Sequence, residues 1–282
     1  MDSNVQTITT EMDNIVSTFG SDETTFMELT GQAQATRTEG LSRLNINYDT
    51  ETEDGVTLTR GDWKMMYDGE MLYAKTVSIR PILRTFEWSI YDAEQGAFSC
   101  KSVQKPTMSG DFPDTEGGNK CGRLSYDEED KLKDDDPVKL KSRSATCNQV
   151  LYSRITGAFK KADGTEVKVA DHPVVAYFKR SGFLPIRNFI DSLTRQKKIM
   201  QKCNIHLKTE KKKKGSVTYW TPVPTLDSET EITNEDKELM KKFADTVKAH
   251  NQNVLEQSRE SVKLQPNRAD DNLANDFNAS TA

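Results

Sequence analysis

The residues that could do chemistry are concentrated between His172 and Trp220. Twelve Lys or Arg stand there against two acids, Asp191 and Glu210, in a chain of net charge −5. The run opens on Val174-Val175-Ala176-Tyr177-Phe178 and continues through Lys179-Arg180-Ser181-Gly182-Phe183. It closes on the basic turn Lys211-Lys212-Lys213-Lys214-Gly215 and on Val217-Thr218-Tyr219-Trp220. Cations meet phosphates and aromatic faces meet bases, so this mixture suits a polyanion with stackable rings.

The candidate nucleic-acid-binding residues lie along predicted strands and one predicted helix. Tyr73 and Lys75 fall on one strand, Arg84 and Trp88 on the next, and Tyr152 and Arg154 on a third. Lys179, Arg180 and Arg187 follow, then Lys208, Lys211, Lys212, Lys213, Lys214 and Trp220. Each has a plainer reading. Phe86 and Trp88 share an apolar face with Ile82 and Ile90, which favours core over stacking platform. Arg84 interrupts that face and stands out. Tyr177 and Phe178 are adjacent, so one faces outward, and the sequence does not decide which. The four-lysine turn reads equally well as a solvated hairpin tip.

Signals for catalysis are poor. The chain has no Gly-x-x-x-x-Gly-Lys, no Gly-x-Gly-x-x-Gly after a strand, no His-Glu-x-x-His and no Gly-x-Ser-x-Gly. A non-enzymatic protein without a cofactor is expected. The four cysteines, Cys100, Cys121, Cys147 and Cys203, form no Cys-x-x-Cys pair and read as reduced structural thiols. No metal is expected, although the sequence leaves open whether Cys203, His172 and His206 meet around one. No apolar run is long enough to span a membrane, no membrane partner is expected, and no secretory signal is visible, which suits a cytoplasmic protein.

Charge is segregated along the chain. Residues 1–60 carry three basic and eleven acidic groups, and residues 221–282 carry seven and twelve. A basic middle therefore lies between acidic ends. Residues 1–58 read as an acidic, weakly ordered segment, with Met12, Ile15, Val16 and Phe19 at helical spacing. Residues 59–228 read as the binding domain. Within it, Met71–Ile79 and Ile82–Tyr91 alternate as two strands, and Pro81 between them marks an offset or an edge. Arg60-Gly61-Asp62 reads as a chance tripeptide. Residues 105–145, broken by Pro106, Pro113 and Pro137, read as a long, partly mobile acidic loop. Thr233-Asn234-Glu235-Asp236 opens a helix over 229–260 with a capping box. Residues 261–282 read as a disordered acidic tail. The fold class that follows is mainly β with added helices, an OB-like small barrel with a C-terminal helix and flexible acidic ends.

In the order of its parts, the chain resembles the single-stranded DNA-binding proteins of tailed bacteriophages. The resemblance rests on the basic strand-rich middle, the stretch Pro173–Pro185, the late basic hairpin before Tyr219-Trp220, the C-terminal helix and the acidic tail. It implies coating of single-stranded DNA in phage replication and recombination, in the cytoplasm of the host cell. It implies docking of polymerase or helicase by tail residues Asp270, Asp271, Asp276 and Phe277, and a homodimer or a cooperative filament on DNA. The tail continues five residues past Phe277, unlike the family's usual ending. The rival reading is a phage structural or assembly protein whose basic surface meets an acidic protein partner.

Overall fold

Alternating apolar and polar residues turn most of the middle of the chain into strand. The computed structural model describes residues 41–264. Its strands are β1 (Ser42–Ile46), β2 (Trp63–Tyr67), β3 (Glu70–Ala74), β4 (Thr76–Asp92), β5 (Ala97–Lys101), β6 (Thr146–Lys160), β7 (Glu166–Phe178), β8 (Cys203–Lys214) and β9 (Val217–Glu229). The helices are α1 (Tyr126–Asp130), α2 (Pro137–Ser144), α3 (Phe183–Arg195) and α4 (Asn234–Leu264).

Five strands close into a barrel. β1 pairs with β2, β2 with β3, and β6 with β7, which returns to β1; β3 meets β6 at Tyr73 and Lys160. The architecture is OB-like, mainly β with added helices. β3 and β4 are successive lengths of one path along β6, since Tyr73 lies opposite Lys160 and Ser78 opposite Thr156. On the other edge β2 is the neighbour before Lys75 and β8 the neighbour after it. The β8–β9 hairpin leaves the barrel at that corner. Trp63 Nε1 donates to the Leu207 carbonyl at 3.2 Å and holds β8 against the wall.

Pro81 does not separate two strands. It lies inside β4, where the ladder to β6 shifts register between Pro81 and Leu83. A proline has no N–H to give the ladder, and the irregularity accommodates that loss.

The barrel core gathers Trp63, Met65, Leu72, Ile79, Leu151, Ile155 and Phe159. Ile186, Ile190 and Leu193 of α3 join it. Their spacing of four and three puts them on one helix face. Each such fully buried aliphatic side chain stabilises by about 1.5–3 kcal/mol relative to exposure.

A second core lies between the sheet and α4. Phe243 packs on Tyr152 with ring centroids 5.3 Å apart, and Val254 joins Phe86, Val103 and Phe112. The capping box is realised: the Asp236 N–H donates to Thr233 Oγ1 at 3.2 Å, and the Thr233 N–H to Asp236 Oδ2 at 2.9 Å. Asn251 bonds both backbone groups of Gln104, at 2.6 and 2.9 Å. Helix α4 is therefore part of the same body as the sheet, not a separate segment after 228. β1 likewise places barrel wall upstream of residue 59.

Residues 105–145, expected as a long loop, contain a 3-10 turn at Lys120–Gly122 and helices α1 and α2. Their acids are used locally. Ser125 and Glu128 form a capping box, Asp136 caps α2 ahead of Pro137, and Glu129 accepts from Arg143 at 3.0 Å. Carboxylates in a first helical turn also face the positive end of the helix dipole. The helix expected near Met12–Phe19 lies outside the described residues, as do the tail residues Asp270, Asp271, Asp276 and Phe277.

Candidate nucleic-acid interface

Several of the expected binding residues are spent on the fold. Tyr152 is only 3% exposed, and its hydroxyl donates to Gln104 Oε1 at 3.0 Å. It is core under α4, not a stacking platform. Arg154 forms an ion pair of 3.1 Å with Asp236, which Arg80 also reaches at 2.5 Å. Asp236 is 2% exposed, so both arginines are struts that dock the start of α4. Arg84 bonds Asp191 at 3.3 Å and Gln149 at 3.2 Å and covers the Phe86 ring. Burial pushes its guanidinium below the usual arginine value, with the Asp191 bond opposing the shift. Trp88 is half-buried and packs against the clusters of Phe86 and of Cys100 and Cys121. Arg187 pairs with Asp191 one helical turn on, at 3.6 Å. The face of β4 beside Tyr152 is covered rather than solvated: Thr85, Glu87 and Ser89 are buried, Gln104 and Asn148 complete their hydrogen bonds, and Tyr152 bonds Gln104 in turn.

The other expected residues lie at the surface. Tyr73 is half-buried on the barrel wall, opposite Lys64 and Lys160. Lys75 is exposed at the β3–β4 corner, and the neighbouring Thr76 faces Lys208 on β8. Lys208 and Lys211–Lys214 are exposed along the hairpin, where Lys212 pairs with Glu210 at 2.7 Å. Lys211 lies opposite Trp220.

Trp220 opens onto a groove that the sequence did not reveal. The groove has a volume of about 330 Å³ and is lined from β1, Tyr48, the start of β2, the end of β7, Lys179, Ser181, Gly182 and β9, while Arg180 is exposed beside it. Trp220 meets Tyr48 edge-on, with centroids 5.6 Å apart and planes at 82°. Gly61 makes room for that indole. A Cβ there would stand 2.2 Å from Trp220 Cδ1, and the backbone φ of +93° also favours glycine. The tripeptide Arg60-Gly61-Asp62 thus has a packing reason for its glycine. Farther along, the Arg43 guanidinium lies 4.7 Å over the Tyr177 ring. Phe178 is buried and belongs to the barrel core, while the half-buried Tyr177 lines both the groove and the cleft beyond it.

A smaller cleft of about 90 Å³ shares Asn45, Tyr177 and Lys179 with it, adds Arg43, and extends the path to Phe98 and Lys101. Lys101 lies 4.4 Å over Phe98, Tyr91 meets Phe98 at 5.3 Å, and Lys179 lies 5.9 Å from Tyr91. Rings and cations therefore follow one another from Trp220 to Lys101, with Lys64 paired to Asp49 and the buried Glu87 carboxylate also lining the smaller cleft. Burial holds the Lys179 ammonium below the usual lysine value, and Arg180 and Arg43 push in the same direction. An anion placed there would relieve that repulsion.

Arg43 and Tyr48 were missed because they lie in the segment read as weakly ordered. The available signal was the alternation of Arg43 and Asn45 with Leu44 and Ile46. Lys64, Tyr91, Phe98 and Lys101 carried no local mark. The grouping of Cys203, His172 and His206 that the sequence left open is not brought together: Cys203 donates to the Ile199 carbonyl at 3.3 Å, while His172 meets Tyr67 edge-on at 4.9 Å.

No protein-family model, curated protein or solved structure matches the chain. The functional reading rests on the groove itself. No helix among the described residues is long and apolar enough to cross a membrane.

Proposed function

We propose that the protein is a non-catalytic binder of single-stranded DNA, held in the groove from Trp220 to Lys101. The observation that carries this reading is the succession of rings (Trp220, Tyr48, Tyr177, Tyr91, Phe98) interspersed with the cations Arg43, Lys179 and Lys101. Rings spaced along a cationic groove accept unpaired bases without sequence preference, each stacked base contributing about 1–3 kcal/mol. The exposed lysines of the β8–β9 hairpin prolong the cationic path beyond Trp220. The bacteriophage resemblance adds the setting: coating of single strands during replication and recombination, with polymerase or helicase reached through the acidic tail.

The test is a fluorescence titration with oligo-dT over a range of salt. Of the three tryptophans, Trp63 is buried and Trp88 packed, so quenching on binding reports mainly on Trp220. Submicromolar binding is expected, with log K falling linearly as log salt rises. Trp220→Phe should remove most of the quench. An affinity weaker than micromolar at low salt, or one insensitive to salt, overturns the proposal. Tight binding only to an acidic protein would favour the assembly role instead.

A further inference from the structure

A second cluster is buried at β5, next to the Lys101 end of the groove, and takes no part in the proposed binding. Cys100, Asp114 and Cys121 offer two sulfurs and a carboxylate oxygen that all lie within 4.8 Å of one another. Cys100 and Asp114 are 1% exposed and Cys121 is fully buried. The three come from separate stretches: β5, the turn before Gly117-Gly118, and the 3-10 turn.

The backbone is arranged to hold them there. Lys120 and Cys121 both have positive φ, 54° and 53°, a region non-glycine residues seldom enter and rarely in succession. Asp114 is oriented by three backbone donors. Its Oδ1 accepts from Glu116 N at 3.1 Å and Gly118 N at 2.9 Å, and its Oδ2 from Cys121 N at 2.8 Å. A carboxylate has about four acceptor positions, so one remains for the space shared with the sulfurs. The Cys121 thiol donates to the Trp88 carbonyl at 3.4 Å, which fixes its sulfur beneath that strand. Two sulfurs with one carboxylate are a donor set for a borderline-soft divalent ion, and tetrahedral bonds of about 2.0–2.3 Å place ligand atoms at separations that fit within this cluster. The backbone N–H groups on Asp114 would serve as the outer shell that orients a ligand.

We propose that Cys100, Cys121 and Asp114 bind a zinc-class divalent ion, with water as the fourth ligand. Water would reach it from the cleft of about 390 Å³ that Asp114 lines together with Glu116, Gly118 and Lys141. Binding releases the thiol protons to solvent and leaves two thiolates on the metal. The ion would clamp the 102–122 segment onto β5 beneath Trp88. That segment in turn receives the end of α4, where Ser261 donates to the Thr115 carbonyl at 2.8 Å.

The full chain, purified without chelator and in a non-thiol reductant, tests this. Elemental analysis should find about one zinc per chain. Cobalt substitution should give a thiolate-to-metal charge-transfer band. The band should persist in a C147S/C203S double variant and vanish in C100S. D114N should weaken zinc retention at least tenfold in competition with a chromophoric chelator. Substoichiometric metal with no cobalt–thiolate band in folded wild-type protein overturns the proposal, as does isolation of a Cys100–Cys121 disulfide from the same preparation. Should C100S not fold, wild type and the C147S/C203S variant decide alone. Oligo-dT binding is a separate measurement and neither result depends on the other.

Discussion

The centre of the β4–β6 sheet and the groove along β1, β7 and β9 are both rich in cations and aromatics, and they use them in opposite ways. In the sheet every notable cation has a carboxylate: Arg80 and Arg154 share Asp236, and Arg84 meets Asp191. Its rings, Tyr152 and Phe243, face each other under α4. In the groove Lys179 is crowded by Arg43 and Arg180, and Arg43 lies over the Tyr177 ring; Lys64, paired with Asp49, is the exception. A cation already neutralised at short range has little left for a phosphate. A cation surrounded by like charge gains most from one. Density of positive charge along the chain is therefore a weaker guide than the local balance around each cation.

The largest expected effect lies in the sheet. Asp236→Ala leaves two mostly buried guanidinium groups without their counter-charge and also removes the α4 cap. A loss of about 3–5 kcal/mol is expected in denaturant titrations, while the oligo-dT affinity of the remaining folded protein should be unchanged. A loss below about 1 kcal/mol, the range of exposed pairs, would show that the sheet cations are not struts.

The groove should respond in the opposite sense. Trp220→Ala is expected to weaken oligo-dT binding by about 1–3 kcal/mol, one stacked base. Gly61→Ala should act in the same direction, because its Cβ would displace the indole. Unchanged affinity in both variants would remove Trp220 from the binding path.

The hairpin tip sharpens where the groove ends. Replacing Lys211–Lys214 with Ala should leave thermal stability intact and flatten the salt dependence, by about 0.7 in the log–log slope for each phosphate that the turn no longer neutralises. An unchanged slope would identify the turn as a solvated tip.

The smallest effect separates the regions by pH. His172 lies on β7 beside Pro173, the partner of Arg154. Burial lowers its pKa from 6.5, with Asp68 opposing. The unfolded chain therefore binds a proton first as pH falls below 6.5. Stability from this group is full above that value and declines as pH drops toward the folded pKa. Denaturation of wild type against His172→Asn should show that slope only in wild type. A slope of opposite sign would refute the assignment.

Elements governed by local chemistry were legible in the chain. The alternation in Ile82–Tyr91 and Asn148–Phe159 predicts strands that are present. The Pro185–Leu193 spacing predicts α3, and Thr233 with Asp236 predicts the α4 cap. Less legible were the acidic runs of 127–136, whose helix caps read as solvated charge, and β1, whose five residues lie in a segment of adverse composition. The candidate site was half visible: Trp220, Lys179 and the lysine turn could be named, but not the Arg43, Tyr48 and Tyr177 surroundings that give them a groove.

The sequence by itself determined the strands of the basic middle, the helix after Gly182 and the α4 cap, and that positive charge gathers in the middle, because periodicity, capping and composition act over a few residues. Only the tertiary structure decided which cations remain free. That depends on closing β7 onto β1, on laying α4 over the polar face of β4, and on bringing Tyr48 to Trp220 across most of the chain. Such contacts are fixed by the shared burial of distant faces and leave no mark in either partner's neighbours.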